Sequence, residues 1–227
     1  MVETSLSKTV QFLIENDPSL LDALEKGYGN FSAIARLLKP KVEVLLGREV
    51  TFEGMITSVK RARSRYKPKL EYLQIVSESV INLRTDVAKL SLEKTRRNLE
   101  KARLVSADFP EAFFQVSEGA TTLTLITDQR IFNEVRSLFK GEEILDEKQN
   151  LAAIIVQSPR EIVNTPGCIV AFYNPLSRAL LNIEETVSCY TETIIVLRME
   201  DTAKAFSLLT DLITNARKTL HAKNGAT

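Results

Sequence analysis

Apolar residues recur at helical spacing through the first 66 residues of the chain. Asp17-Pro18 is typical of a helix start, because aspartate caps free amide groups and proline suits the first helical position. Asn30 or Ser32 begins the next helix, and Thr51 begins the last one. The pattern predicts four short helices joined by glycine-containing turns. Such a bundle over residues 1–69 favours a helix-turn-helix-like domain.

After residue 76 the pattern changes to short strands that alternate with helices. A β-α-β-β-α order is predicted at residues 79–92, 96–103, 113–116, 122–126 and 131–139. The same order returns at residues 151–156, 168–181, 183–190, 193–197 and 201–212. Pro175 lies inside the first helix of the second run, so we expect a kink or break near Asn174.

The two runs match at a constant offset. Val80 corresponds to Leu151, Val116 to Val187, Thr122 to Thr193 and Leu138 to Leu209, each 71 positions further on. A shared offset in both strands and helices predicts a tandem repeat. The Pro166-Gly167 pair that opens the helix of the second run has no counterpart in the first, which therefore looks diverged.

The second run resembles the ACT domain of aspartokinases and other proteins of amino-acid pathways. Pro166-Gly167 before its first helix, Asn182-Ile183 before its second strand, and residues 185–197 carry the resemblance. It implies an α+β fold, in which the helical domain precedes two ferredoxin-like βαββαβ ACT modules at residues 76–146 and 147–227. Leu181 stands where the family usually has glycine. No sixth element is apparent in the polar segment 219–227.

The resemblance also implies a strand-edge site for an amino acid. The amide groups at the start of the helix after Gly167 lack intrahelical partners and suit a carboxylate. Asn182 and Glu184 are expected opposite, to hold the ammonium group or the side chain. The candidate ligand-binding residues are Ser158, Asn164, Thr165, Gly167, Asn182, Ile183 and Glu184. The alternative is an ordinary Pro-Gly helix start with a capping asparagine.

A basic face on the last helix of the N-terminal domain is a candidate contact for DNA phosphates. Its residues are Lys60, Arg61, Ser64, Arg65 and Lys67, in a stretch without acidic residues between positions 54 and 70. The alternative is a solvated face whose cations complement the end of the helix. A helix-turn-helix likeness is an argument from fold analogy only.

Composition limits the remaining functions. The chain has 30 basic and 29 acidic side chains, and no apolar run reaches the roughly 20 residues of a membrane span. We therefore expect a cytoplasmic protein without membrane contact. The only histidine, His221, lies in the polar tail, and no phosphate loop or metal-spaced cluster occurs. We predict no catalytic residues, no metal and no cofactor.

These observations predict a non-enzymatic transcriptional regulator that senses an amino acid and acts as a dimer through its ACT modules. Ligand binding would favour one mutual orientation of the modules and so change the spacing of the paired helical domains. The alternative function is a regulatory or scaffold subunit whose helical domain binds a protein partner without binding DNA.

Overall fold

A computed structural model describes residues 5–25, 27–65 and 71–224. The chain divides into two compact units, Met1–Lys69 and Leu70–Thr227, and each is described by itself. The described residues do not include Tyr66 or the segment Lys67-Pro68-Lys69.

The first unit is helical, as its apolar periodicity predicts. Its helices are α1 (Leu6–Glu15), α2 (Pro18–Glu25), α3 (Phe31–Leu46) and α4 (Phe52–Arg65). Asp17 Oδ1 accepts the amide hydrogens of Ser19 and Leu20, and Asn30 Oδ1 accepts those of Ser32 and Ala33. These caps satisfy amide groups that helix starts leave free. The core contains Val10, Ile14, Leu24, Leu38, Met55 and Val59.

The second unit contains both β-α-β-β-α runs. Its elements are α5 (Glu71–Glu78), β1 (Val80–Glu93), α6 (Arg96–Asp108), β2 (Phe114–Glu118), β3 (Thr122–Asp128), α7 (Phe132–Ser137), β4 (Ile144–Gln157), α8 (Cys168–Arg178), β5 (Glu185–Cys189), β6 (Glu192–Arg198) and α9 (Met199–Asn224). A 3-10 helix at Arg160–Asn164 precedes α8. The sequence pattern missed α5 and the first seven residues of β4, and α9 continues well beyond the predicted end at residue 212.

All six strands form one antiparallel sheet in the order β2-β3-β1-β4-β6-β5. The two 14-residue strands at its centre each serve both halves. The first part of β1 (80–84) pairs with β4 beside β6, and the second part (87–93) pairs with β3. The strand missing after the second run is therefore supplied by residues 80–84, at the start of the first strand of the first run.

Each central strand has a residue with left-handed backbone close to where its second neighbour begins to pair. Asp86 has φ 56° and Asn150, 64 positions later, has φ 57°. The strand pairing is interrupted between Arg84 and Val87, as expected for a bulge. Such a bulge bends its strand, so each central strand turns where it passes from one half of the sheet to the other.

The helices of the second unit cover one face of the sheet. Leu90, Leu92, Leu123 and Leu125 pack against α6 and α7, and Ile154, Val156, Ile195 and Leu197 pack with α5, α8 and α9. A further core on the opposite face consists of Val87, Ile126, Leu151, Ala153, Ile194 and Val196. These side chains are at most 1% exposed although no helix residue belongs to their core. The two halves of the bent sheet must therefore turn these faces toward each other.

The repeat is present in the order of elements, but the predicted offset of 71 is wrong. Leu92 pairs with Leu123 in the first run, and Val156 pairs with Thr193 in the second. The central strands therefore correspond at 64 positions, and the following strands at 70. The predicted offset differs from the observed ones by seven and by one, which are both odd, so it matches residues that lie on opposite faces of the sheet, because side chains alternate along a strand. Pro175 lies within a continuous α8, so the helix does not break at Asn174, and the alternative expectation of a kink there stays a prediction.

Candidate functional site

The seven predicted ligand residues form two groups at opposite ends of β6. Ser158 donates its amide hydrogen to the Thr191 carbonyl (2.9 Å), at the end where β6 begins. Glu184 donates to the Val196 carbonyl (2.8 Å), near the end of the strand. Asn182, Ile183 and Glu184 therefore do not lie opposite Gly167 within this chain. The reason is that the 11-residue helix α8 lies between the two segments and carries the chain from one end of β6 to the other.

The group around the start of α8 contains Ser158, Asn164, Thr165 and Gly167. The Ser158 hydroxyl lies 3.0 Å from that of Ser79, which donates to the Ile75 carbonyl of α5 (2.7 Å). Gly167 precedes α8 with φ 93°, a left-handed conformation that glycine adopts at little cost. No side chain caps the helix there. Among the described residues, its first amide groups thus have no capping side chain, as a site for a carboxylate requires.

A cavity of about 420 Å³ reaches Thr165, two residues before Gly167, while one of about 550 Å³ lies elsewhere. The smaller cavity is lined by Glu71, Gln74, Ile75, Glu78, Pro159, Glu161 and Thr165. Its three carboxylates create a negative environment that favours an ammonium group. The residues from α5 were not predicted, although Tyr72, Leu73, Ile75 and Val76 are at helical spacing and could have indicated that helix.

Glu184 is the centre of a buried charge cluster at the other end of β6. Its side chain is 2% exposed. The carboxylate accepts hydrogen bonds from Lys148 Nζ (2.6 Å), Asn182 Nδ2 (3.2 Å) and Arg198 Nε (3.3 Å). The hydrogen bond from Lys148, together with that from Arg198 and the charges of Lys148 and Lys89, outweighs burial and lowers the pKa of Glu184 below its ordinary value. The Glu184 carboxylate is therefore engaged by side chains of the protein itself.

Lys89 extends this cluster to the central strand β1. Its ammonium group donates to the Glu184 carbonyl oxygen (3.2 Å) and lies 3.3 Å from Asp146 Oδ2. The 550 Å³ cavity opens beside the cluster, where Lys148, Asn150, Leu151, Arg198 and Glu200 contribute to its wall. The charges are balanced, since three cations face Glu184, Asp146 and Glu200. A charged residue in a buried strand, such as Lys89, is the sequence signal for this cluster.

The first half of the sheet has a corresponding ion pair. Asp128 occupies the position equivalent to Arg198, and Arg84 the position equivalent to Lys148. Arg84 Nη2 lies 2.9 Å from both carboxylate oxygens of Asp128, and its guanidinium lies over the Phe113 ring. Burial alone would raise the pKa of Asp128, but the Phe113 amide group and Arg84 outweigh it and hold that pKa below its ordinary value.

The predicted DNA contacts are exposed on α4 where the structure describes them. Lys60, Arg61 and Ser64 recur at helical spacing on its solvent side. The Ser64 hydroxyl donates to the Arg61 carbonyl (2.8 Å). The side chain of Arg65 and all of Lys67 lie outside the described residues.

Two classes of site were also searched for in the described part of the chain. No group of three or more His, Cys, Asp or Glu side chains there is arranged to hold a metal ion. Among the described helices, none has both the length and the apolar character needed to cross a membrane.

Sequence comparisons yield no relatives. No model of a known protein family matches the chain, and no curated protein matches its sequence significantly.

Solved structures do resemble it. Aspartate kinase from Synechocystis has a TM-score of 0.51 and 12% identity, over 61% of this chain and 27% of that protein. Aspartate kinase from Clostridium acetobutylicum has a TM-score of 0.49 and 15% identity, over 59% of this chain and 34% of that protein. The regulatory subunit of aspartate kinase from Thermus thermophilus has a TM-score of 0.49 and 12% identity, over 58% of this chain and 95% of that subunit.

The likeness to the Synechocystis enzyme concerns the fold alone, because the sequence identity is low. A match over 61% of the chain cannot come from the 69 residues of the helical unit, so it must include the sheet. The chain spans about a third or less of the two full-length kinases named above. The unit of residues 70–227 therefore has an ACT-like fold of the kind found in aspartate kinases.

Proposed function

We propose that the chain is a non-catalytic regulatory protein that binds a free amino acid through the unit of residues 70–227. One observation supports this most directly: an acidic cavity is lined by Thr165, in the segment that leads into the start of α8. An amino acid has an ammonium group and a carboxylate a few ångströms apart. Glu71, Glu78 and Glu161 suit the first group, and the amide groups after Gly167 suit the second.

A thermal-shift screen of the twenty amino acids tests the proposal. A ligand at 100 times its dissociation constant stabilises a protein by about 2.7 kcal/mol, which raises the melting temperature measurably. The charge-removing variant Glu161→Gln should reduce the affinity for the amino acid found in the screen by about tenfold, as expected for the loss of one ionic contact. Glu142→Gln, at an exposed carboxylate outside the cavity, is the matched control. An absence of any stabilising amino acid would contradict the proposal.

Helix α5 would couple amino-acid binding to the helical unit. The cavity lies between α5 and the segment before α8, and α5 leads directly into β1. A ligand that contacts both elements would favour one arrangement of α5, the element that follows the helical unit in sequence. We further propose that the sensing unit acts as a dimer, which analytical ultracentrifugation with and without the amino acid would detect.

DNA binding by the helical unit is a second candidate function. The observation in its favour is the exposed set of Lys60, Arg61 and Ser64 on α4. In a fluorescence anisotropy assay with duplex DNA, affinity should fall steeply with salt, and Lys60→Glu/Arg61→Glu should reduce the salt slope by about 2. Lys8→Glu, on the exposed side of α1, is the control. No binding at low salt would eliminate this candidate.

A further inference from the structure

The longest helix of the N-terminal unit exposes an apolar stripe to solvent. Ala33, Leu37, Pro40 and Val44 recur at steps of three and four residues along α3. Val44 is 82% exposed and Leu37 is 60% exposed. The opposite side of the same helix already carries the core residues Ile34, Ala35, Leu38 and Val42. The stripe is therefore additional to the face that folding of this unit requires.

Leu45, which is 57% exposed, lies about 110° from the centre of the stripe and is not part of it. From residue 33 to residue 44 the stripe is about 17 Å long, which corresponds to three turns of a facing helix. Single exposed apolar residues are common, but a row at helical spacing is a typical helix-docking surface. Its shape therefore fits another helix of about 12 residues.

Cations border the stripe on both sides. Helical geometry places Arg36 about 70° to one side of its centre and Lys41 about 70° to the other. Arg36 lies over the Phe52 ring (5.7 Å), while Lys41 has no ionic partner among the described residues. Glu43 is already engaged by Lys39 Nζ (2.6 Å) and the Val50 amide group (3.0 Å). The border of the stripe is thus positively charged and suits carboxylates.

A second copy of the chain fits this surface poorly. If two α3 helices pack antiparallel so that Leu37 meets Val44, the two Lys41 side chains meet beside the two-fold axis. If they pack parallel, the same helical geometry places Lys41 of each copy nearly level with Glu43 of the other, which Lys39 already engages (2.6 Å). The antiparallel arrangement brings like charges together, and the parallel one offers Lys41 no free carboxylate, so neither favours self-association.

We propose that α3 binds an acidic amphipathic helix of another protein, whose apolar residues pack on the stripe and whose carboxylates pair with Arg36 and Lys41. The helical unit would then connect the chain to a protein partner. This inference goes beyond amino-acid sensing and does not depend on it, because the stripe belongs to the first compact unit alone.

Two synthetic peptides test the proposal with the full chain. Both are helical, about 18 residues long, and carry the same leucine stripe, but one has glutamates and the other lysines at the flanking positions. Fluorescence anisotropy should show binding of the glutamate peptide at least tenfold tighter than that of the lysine peptide. Val44→Asp should weaken binding of the glutamate peptide at least tenfold. Arg36→Glu/Lys41→Glu should make the lysine peptide bind more tightly than the glutamate peptide.

Leu104→Asp, at a 60% exposed leucine on α6, is the matched control and should bind as the wild type does. Circular dichroism and urea unfolding of each variant confirm that it folds. Equal binding of the two peptides, no binding of the glutamate peptide, or unchanged binding by Val44→Asp would overturn the proposal. So would a dimer, a vesicle contact or a DNA contact abolished by Val44→Asp, because each assigns the stripe to a different occupant.

Discussion

At the scale of single residues, Glu184 shows how a buried charge is tolerated. Its carboxylate is almost fully buried, and three polar side chains donate hydrogen bonds to it. Removing one member of a buried ion pair is costly, because the remaining charges lose their partner and cannot be solvated fully. The partners Lys148 and Arg198 are partly exposed, so water screens part of this cost.

We therefore expect Glu184→Gln to lower the free energy of unfolding by about 2–3 kcal/mol, toward the low end for broken buried pairs. Urea denaturation at neutral pH measures it. Glu200→Gln removes a carboxylate that also contacts Arg198 but is 74% exposed, and it should change stability by less than about 1 kcal/mol. Similar losses in both variants would contradict the importance of burial.

The lowered pKa of Glu184 also predicts a pH dependence. A carboxyl group whose pKa is lower when folded contributes stability above its unfolded pKa, and this stability is lost as the pH falls through the folded pKa. The stability difference between wild type and Glu184→Gln should therefore be full at pH 7 and shrink below about pH 4. Urea titrations at several pH values test this. A difference independent of pH would show that the charge is not the cause.

At the scale of elements, the bends of β1 and β4 determine which half of the sheet each segment joins. Asn150 has a left-handed backbone, and its amide group donates to Gln129 Oε1 (2.6 Å). The next residue, Leu151, belongs to the core on the face of the sheet opposite the helices. Asparagine adopts this conformation more readily than most residues, whereas β-branched side chains clash there.

Asn150→Val should destabilise the protein by about 1–2 kcal/mol, while Asn150→Gly should change stability little. Gln149→Val, at the neighbouring exposed strand position, controls for the change in side-chain type. Melting temperature and urea midpoint are the measurements. If valine were tolerated equally at both positions, the left-handed bend would not be the constraint.

At the scale of the whole molecule, the sheet-containing unit is interwoven in sequence. Residues 80–84 complete the second half, while the early residues of β4 complete the first. Ile75 and Val76 of α5 belong to the core under α8 and α9. A division of the chain at residue 146 would separate strands that pair with each other.

We expect a fragment of residues 70–227 to fold cooperatively and a fragment of residues 147–227 to remain unfolded. The shorter fragment lacks both the strand of residues 80–84 and α5, and so exposes the apolar surface that they cover. Circular dichroism and urea unfolding distinguish the two outcomes. Residues 86–227, which keep β4 whole but lose α5 and the start of β1, should be strongly destabilised. Cooperative folding of residues 147–227 would contradict this account.

The amino-acid sequence by itself determined the local elements of this protein. The caps at Asp17 and Asn30, the hairpin before β6 and the apolar faces of the helices follow from interactions within a few residues. The ACT-like order of strands and helices follows from the same patterns.

Only the tertiary structure decided which segments meet. Alternation along a strand does not reveal where a 14-residue strand changes partner, so the offset between the runs was wrong by seven positions at β1 and by one at β3. The tertiary structure also separates Glu184 from Gly167 and places α5 beside the start of α8. Strand pairing and the bend at Asn150 join residues far apart in sequence, and no local pattern encodes these contacts.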